Sequence, residues 1–343
     1  MLMPKVLPIV AVLAVMLIAG CASAPPEGGG TGEENVTPGG GELGGTVTPP
    51  AATQFNATYL MTIGGTYGSD PDSFQAPVGV AVNPATGNIY VAEEFRVKVY
   101  GPDGAYIKTF GSSPGKSNDS FKGPSEVEIA GGKLYVADTE NARIQILDLD
   151  GNYMATIGGT AGSGNYDFKD PNDVFVDSSG NVYVTDGENN RLQIYDSNQE
   201  YVATIGGTAG SGNYSFREVG GVAVDSTGNI YIVDAFNNRI QIYDSNREYV
   251  ATIGGTAGLG DYEFKSPNNI ALDSAGRIFI TELTNNRVHV FNSDRTYLGM
   301  IGGVSGRGDY EFKAPTGVVV VGNKIYIADR YNNRIQIFQY SVS

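Results

Sequence analysis

FKDPNDVFVDSSGNVYVTDGENNRLQIYDSNQEYVATIGGTAGSGNYS, from Phe168 to Ser215, is one copy of a unit that recurs on both sides of it. Each copy opens on a phenylalanine, namely Phe74, Phe121, Phe168, Phe216, Phe264 and Phe312, at steps of 47 or 48 residues. Self-similarity at such a period marks a propeller or a solenoid. Inside the unit, VFV (174–176), VYV (182–184), LQIY (192–195) and YVATI (201–205) are short runs of β-branched and aromatic residues. Between them lie Asp177-Ser-Ser-Gly-Asn181 and Asp196-Ser-Asn198, whose residue types adopt the backbone angles of tight turns. The unit reads as four antiparallel strands, and no window within the repeats shows the three-and-four spacing of an amphipathic helix.

A single four-stranded sheet cannot cover its own two faces, whereas sheets stacked radially cover one another. The first two strands of each unit are nearly continuous apolar runs and the last is mixed, which places the first near the axis and the fourth at the rim. The sixth copy ends after three strands, at Gly317–Val321, Lys324–Ala328 and Arg334–Phe338. Its missing fourth strand stands at the front, where YLMTIGGT (59–66) matches YMATIGGT (153–160). The expected fold is therefore all-β, a six-bladed β-propeller of four-stranded antiparallel blades whose last blade is closed by the N-terminal strand.

The run P-x-G/D/N-V-x-V-D, then G-N-I-Y-V-A-D, then N-N-R-I-Q-I-F, then Y-x-x-T-I-G-G resembles the NHL repeat from about Thr58 to the end. Six copies make the resemblance specific for fold. It implies little about activity, because similar six-bladed propellers serve both as binding platforms and as enzymes.

Three segments follow. Residues 1–20 read as a lipoprotein signal peptide, with Lys5 ahead of an apolar run that ends Leu17-Ile-Ala-Gly-Cys21. Cys21 is the expected lipidated residue and membrane anchor, on the extracytoplasmic side. As the sole cysteine it excludes an intramolecular disulfide. Residues 21–57 are rich in Gly, Pro, Thr and Glu with few apolar groups, a flexible tether. Residues 58–343 are the propeller, about 48 residues per blade. A net charge of −15 argues against a nucleic-acid partner, since phosphate binding needs a basic surface.

Repetition separates scaffold from candidate site. The acidic residue closing each second strand (Glu93, Asp138, Asp186, Asp234, Glu282, Asp329), and the Asn and Arg that follow it in five copies, are expected to pair with one another and with backbone N–H groups. The one aromatic per second strand (Tyr90, Tyr135, Tyr183, Tyr231, Phe279, Tyr326) is expected in the core. Function is expected where the copies differ on one face. The loops between second and third strands carry Phe95, Glu140, Glu188, Phe236, Thr284 and Tyr331, with Arg330 beside the last. Aromatic bodies among polar groups suit a protein, peptide or glycan partner.

A second set lies two residues after the proline position, at the channel mouth: Gly79, Glu126, Asp173, Gly221, Asn269 and Gly317. Six-bladed lactonase-like propellers hold calcium on Glu, Asn and Asp in this channel, and Glu126, Asp173 and Asn269 are similar in kind. Three oxygen donors fall short of the six to eight that calcium takes, so Asn172, Asn268 or waters would have to contribute. No other cofactor is expected. The amidating-lyase and streptogramin-lyase propellers rely on histidines, and this chain has only His289, where other copies have Gln. The favoured expectation is a membrane-tethered binding module without catalysis. The alternatives are a calcium-dependent hydrolase or lactonase-like enzyme at the channel and a structural component of the cell envelope.

Overall fold

The structure, a computed structural model, describes residues 54–111 and 113–343. The signal segment, Cys21 and the tether up to residue 53 lie outside the described residues.

Six four-stranded antiparallel sheets form the molecule, five of them in chain order from first strand to fourth. Blade 3 shows the pattern, with strands Pro171–Val176, Val182–Asp186, Arg191–Tyr195 and Tyr201–Gly206. Blade 6 contains Pro315–Val321, Lys324–Asp329 and Arg334–Val342, and its outer strand is Phe55–Gly64. Met61 pairs with Ile337 and Ile63 with Ile335, antiparallel, so the front of the chain closes the ring as expected. The strand begins at Phe55, ahead of Thr58 where the repeat match starts, and Phe55 pairs with Val342.

Each of the six apolar clusters joins two neighbouring blades rather than filling one. Tyr135, Ile144 and Ile146 of blade 2 pack on Phe168, Val174 and Val182 of blade 3, and Ala328 and Ile335 of blade 6 pack on Val80 and Val91 of blade 1. The second-strand aromatics are buried, as repetition required. The six opening phenylalanines are at most 1 % exposed, and burial of each stabilises by roughly 1.5–3 kcal/mol. Phe216 packs against Gly206, where φ is +91° and a Cβ would come within 2.6 Å of the ring. The Ile-Gly-Gly motif is thus a seat for the next blade's phenylalanine.

Around the axis the first strands are stitched to one another. Thr316 Oγ1 donates to Val78 O at 2.8 Å, Ser125 Oγ to Asn172 O at 2.7 Å, Asn172 Nδ2 to Val219 O at 3.0 Å and Thr281 Oγ1 to Thr316 O at 2.6 Å. Backbones come so close that a Cβ on Gly79 would lie 2.6 Å from Glu126 Cα, and one on Gly317 2.6 Å from Val78 O. Small residues at those axial positions are a packing requirement.

Candidate functional site

Because a four-stranded antiparallel blade alternates direction, the loops between second and third strands and the connections between blades emerge on one face, the top. Each second strand delivers its terminal carboxylate to that face, fully buried. In blade 3, Asp186 Oδ1 accepts Lys169 N at 2.9 Å, and Oδ2 accepts Asn189 Nδ2 at 2.7 Å and Arg191 Nε at 2.9 Å. Arg191 then donates to Ser163, Gly164 and Asp167 carbonyls of the incoming connection. The same clasp joins Asp138 to Arg143, Asp234 to Arg239, Glu282 to Arg287 and Asp329 to Arg334. Blade 1, whose loop lacks the Asn, substitutes Lys98 at 3.2 Å and Arg96 at 3.5 Å from Glu93. These carboxylates are scaffold.

His289 belongs to the same layer. It is buried against Phe264, Phe291 and Tyr297. Its Nδ1 is 3.2 Å from Glu282 Oε1 but off the line of a hydrogen bond, and neither ring nitrogen has a partner. Burial and the nearby Arg287 charge hold its pKa down at about 3, so the ring is neutral and closed to solvent.

The structure brings Glu126, Asp173 and Asn269 together, as their spacing implied. Asn269 Nδ2 of blade 5 donates to Glu126 Oε2 of blade 2 at 2.8 Å, across the axis. Glu126 Oε1 accepts Val80 N at 3.1 Å and Val127 N at 3.0 Å. Asp173 Oδ1 accepts Val174 N and Oδ2 accepts Val222 N, both at 2.7 Å. All four carboxylate oxygens therefore hold N–H donors, which a cation at this ring would have to compete with. Among the described residues no group of three or more His, Cys, Asp or Glu is placed to hold a metal ion. Burial raises both pKa values, and Asp173 raises that of Glu126 further. Beneath the ring runs a cavity of about 400 Å³ with walls such as Val82, Ile129, Val224, Leu272 and Val320. Glu128 also lines it, its pKa pushed up to about 8 by burial and then by Asp173.

The six loop residues read from sequence occupy one rim of the top face, one per blade. Phe236 is 50 % and Tyr331 40 % exposed. Phe95 is half-buried beneath the Arg96 guanidinium, 4.4 Å from its ring centre. Glu140 is exposed and pairs with Lys122 at 3.1 Å, and Glu188 is exposed. Arg330 differs from the rest, being only 7 % exposed.

Inside this rim lies a ring one residue earlier in each loop, Glu94, Thr139, Gly187, Ala235, Leu283 and Arg330, of which the sequence reading singled out Arg330 alone. Next to Gly187 stand Asp170 and Glu218, at the position just before the first strand where other blades have Ala76, Gly123, Ser266 and Ala314. A Cβ on Gly187 would lie 2.4 Å from Asn172 Nδ2 and 2.8 Å from Glu218 Oε1, so the glycine clears space for these polar groups. The visible signal was two acids replacing small residues while a glycine replaced a larger one. Burial, then Glu218 and Glu188, push the Asp170 carboxyl up to about 7. Burial raises Glu218 as well, while hydrogen bonds from Asn172 and Asp170 pull it back.

With that geometry in view, the comparisons with known proteins agree on architecture. The NHL repeat family matches residues 216–243 and 312–338. The chain carries NHL repeats. A family described as 6-bladed beta-propeller, DUF5128, matches residues 116–205 of the NHL propeller. No curated protein sequence matches it. Among solved structures it is similar to a protein of unknown function from Bacteroides thetaiotaomicron, at 17 % identity and TM-score 0.66 over 84 % of this chain and 76 % of that one. It is also similar to a gluconolactonase from Xanthomonas campestris, at 15 % identity and TM-score 0.59 over 79 % and 88 %. An auxiliary nutrient binding protein from Bacteroides thetaiotaomicron aligns at 17 % identity and TM-score 0.59 over 84 % and 77 %. At such identities the likeness is one of fold, shared by an enzyme and a binding protein alike.

Proposed function

We propose that this NHL propeller is a lipid-tethered, extracytoplasmic binding module that recognises a protein, peptide or glycan through its top-face loops without performing chemistry. The observation that carries this reading is a division of labour within each loop. The recurrent carboxylates are consumed by Arg, Asn and backbone N–H groups, while Phe236 and Tyr331 in the same loops remain half in solvent. Exposed aromatics on a rigid ring contribute contact area at little entropic cost. The lipobox-like sequence ending at Cys21 and the tether behind it support presentation of the disk away from a membrane.

Peptide and glycan arrays probed with the purified full-length protein test the reading. Binding that falls at least tenfold in Phe236→Ala or Tyr331→Ala, with melting unchanged, supports it. Equal binding by both variants and the parent refutes it. The competing reading, a calcium-dependent hydrolase at the axial ring, is not favoured, because its carboxylate oxygens are already engaged. It would require calcium to raise the melting temperature and Asp173→Ala to abolish that rise.

A further inference from the structure

Arg330 is a buried cation without a counter-ion. Its Nε has no hydrogen-bond partner, its guanidinium sits 5.5 Å from the Tyr331 ring centre, and no carboxylate among the described residues lies within ion-pair distance. A buried charge left unpaired is costly, and proteins seldom keep one without use. Burial accordingly lowers its pKa, with Tyr331 pulling the other way. Its place in the fold gives the direction it faces. The equivalent Thr139 reaches inward to Pro171 O of the next blade at 2.8 Å, and the equivalent Gly187 faces Asn172, Glu218 and Asp170. Arg330 therefore lines the top mouth of the channel from blade 6.

Blade 3 stands opposite blade 6 in a ring of six. On that side of the ring are Asp170 of blade 3 and Glu218 at the start of blade 4, with Glu188 beside them and no ion pair to any cation among the described residues. The ring is narrow just below, since Asn269 and Glu126 of opposite blades touch at 2.8 Å. The topology thus sets a cation without a counter-ion on one side of the axis and a mutually hydrogen-bonded acid pair on the other.

We infer that the top mouth binds a short zwitterionic peptide across the axis, Arg330 holding its carboxylate and the Asp170–Glu218 pair its ammonium group. Arg is suited to bidentate capture of a carboxylate while stacked on an aromatic ring, which Tyr331 supplies. Asn172, whose Oδ1 has no partner, adds an acceptor for the ammonium end. Neutral glycans lack both charges, and acidic glycans would set their charge against the acid pair. The inference rests on the top-face reading above and narrows its ligand to peptides.

The unpartnered Arg330 Nε–H gives a direct probe by 15N–1H correlation spectroscopy on the full-length protein, titrated with triglycine, N-acetyl-triglycine and triglycine amide at millimolar concentration. Triglycine is expected to shift the Arg330 resonance saturably, and capping either end to weaken binding at least tenfold, the loss of one charge-assisted contact. Arg330→Met should abolish binding of triglycine, and Asp170→Asn with Glu218→Gln should bring the affinity for triglycine down to that for N-acetyl-triglycine. Both variants remove buried charge and leave the clasps intact, so melting should not fall. No shift with triglycine, or equal affinity for all three probes, overturns the inference. Rim variants that lose array binding while triglycine never moves Arg330 leave the top-face reading standing and this one refuted. A saturable triglycine shift with array binding untouched by Phe236→Ala and Tyr331→Ala does the reverse.

Discussion

Arg239 Nε lies 2.7 Å from Asp234 Oδ2, and the two nitrogens beyond it reach the carbonyls of Ser211, Gly212 and Ser215. One ion pair thus fastens a second strand, a third strand and the connection from the preceding blade, and it recurs around the ring. Removing one partner leaves a buried, uncompensated charge. Asp234→Ala is expected to destabilise by about 3–5 kcal/mol in urea unfolding. Phe236→Ala, two residues away on the rim, should stay within about 0.5 kcal/mol of the parent. Equal losses would mean that the rim residue is scaffold too.

The Ile-Gly-Gly motif offers a pairwise test. Gly206 and Gly207 both have positive φ, +91° and +99°, but a Cβ on Gly206 meets the Phe216 ring at 2.6 Å whereas one on Gly207 meets nothing within 4 Å. Gly207→Ala should cost only the backbone conformation, about 1–2 kcal/mol. Gly206→Ala should add an overpacking cost of about 1–3 kcal/mol. Thermal melts of the two variants decide it.

Acid pairs without cations make stability depend on pH. The Asp170 carboxyl is raised from 3.8 to about 7 in the fold, by burial first and then Glu218. Between those values the folded state binds more protons than the unfolded chain, so stability falls as pH rises from 4 to 7. Asp170→Asn should remove that contribution, on the order of 4 kcal/mol across the window. Unfolding free energies at both ends of the window, parent against variant, measure it.

His289 acts in the opposite sense. Its folded pKa of about 3 lies below the ordinary 6.5, so the unfolded chain gains a proton first and stability is lost as pH falls below 6.5. His289→Gln installs the residue of the other blades, where Gln241 Nε2 donates to Gly212 O at 3.1 Å. The variant should be more stable by about 1–3 kcal/mol at pH 5, with the gain shrinking toward pH 7. A constant difference across that range would mean that titration of the ring is not involved.

Much of the architecture was legible because repetition makes one strand pattern visible six times. The closure of the ring followed from a unit missing at one end and present at the other, and Met61 beside Ile337 realises it. The axial trio was legible because one offset from the proline fixes one position in every blade. The inner mouth was not. Asp170, Gly187 and Glu218 are spread over a full repeat, and their complementarity exists only after two blades pack. Arg330 looked like one more rim residue, because sequence cannot say that the residue after the strand-end carboxylate faces inward while the next, Tyr331, faces solvent. Lys98 was passed over likewise, although it stands in the third-strand register where other blades have Gln, as Gln145 and Gln336, which also reach the strand-end carboxylate.

Hydrogen–deuterium exchange of the full-length protein, with and without its strongest array-selected ligand, tests the top-face account most directly. Protection is expected in the loops around Gly187–Asn189, Ala235–Asn237 and Arg330–Asn332. Protection confined to the opposite-face turns at Asp177–Asn181 and Asp225–Asn229 would contradict it.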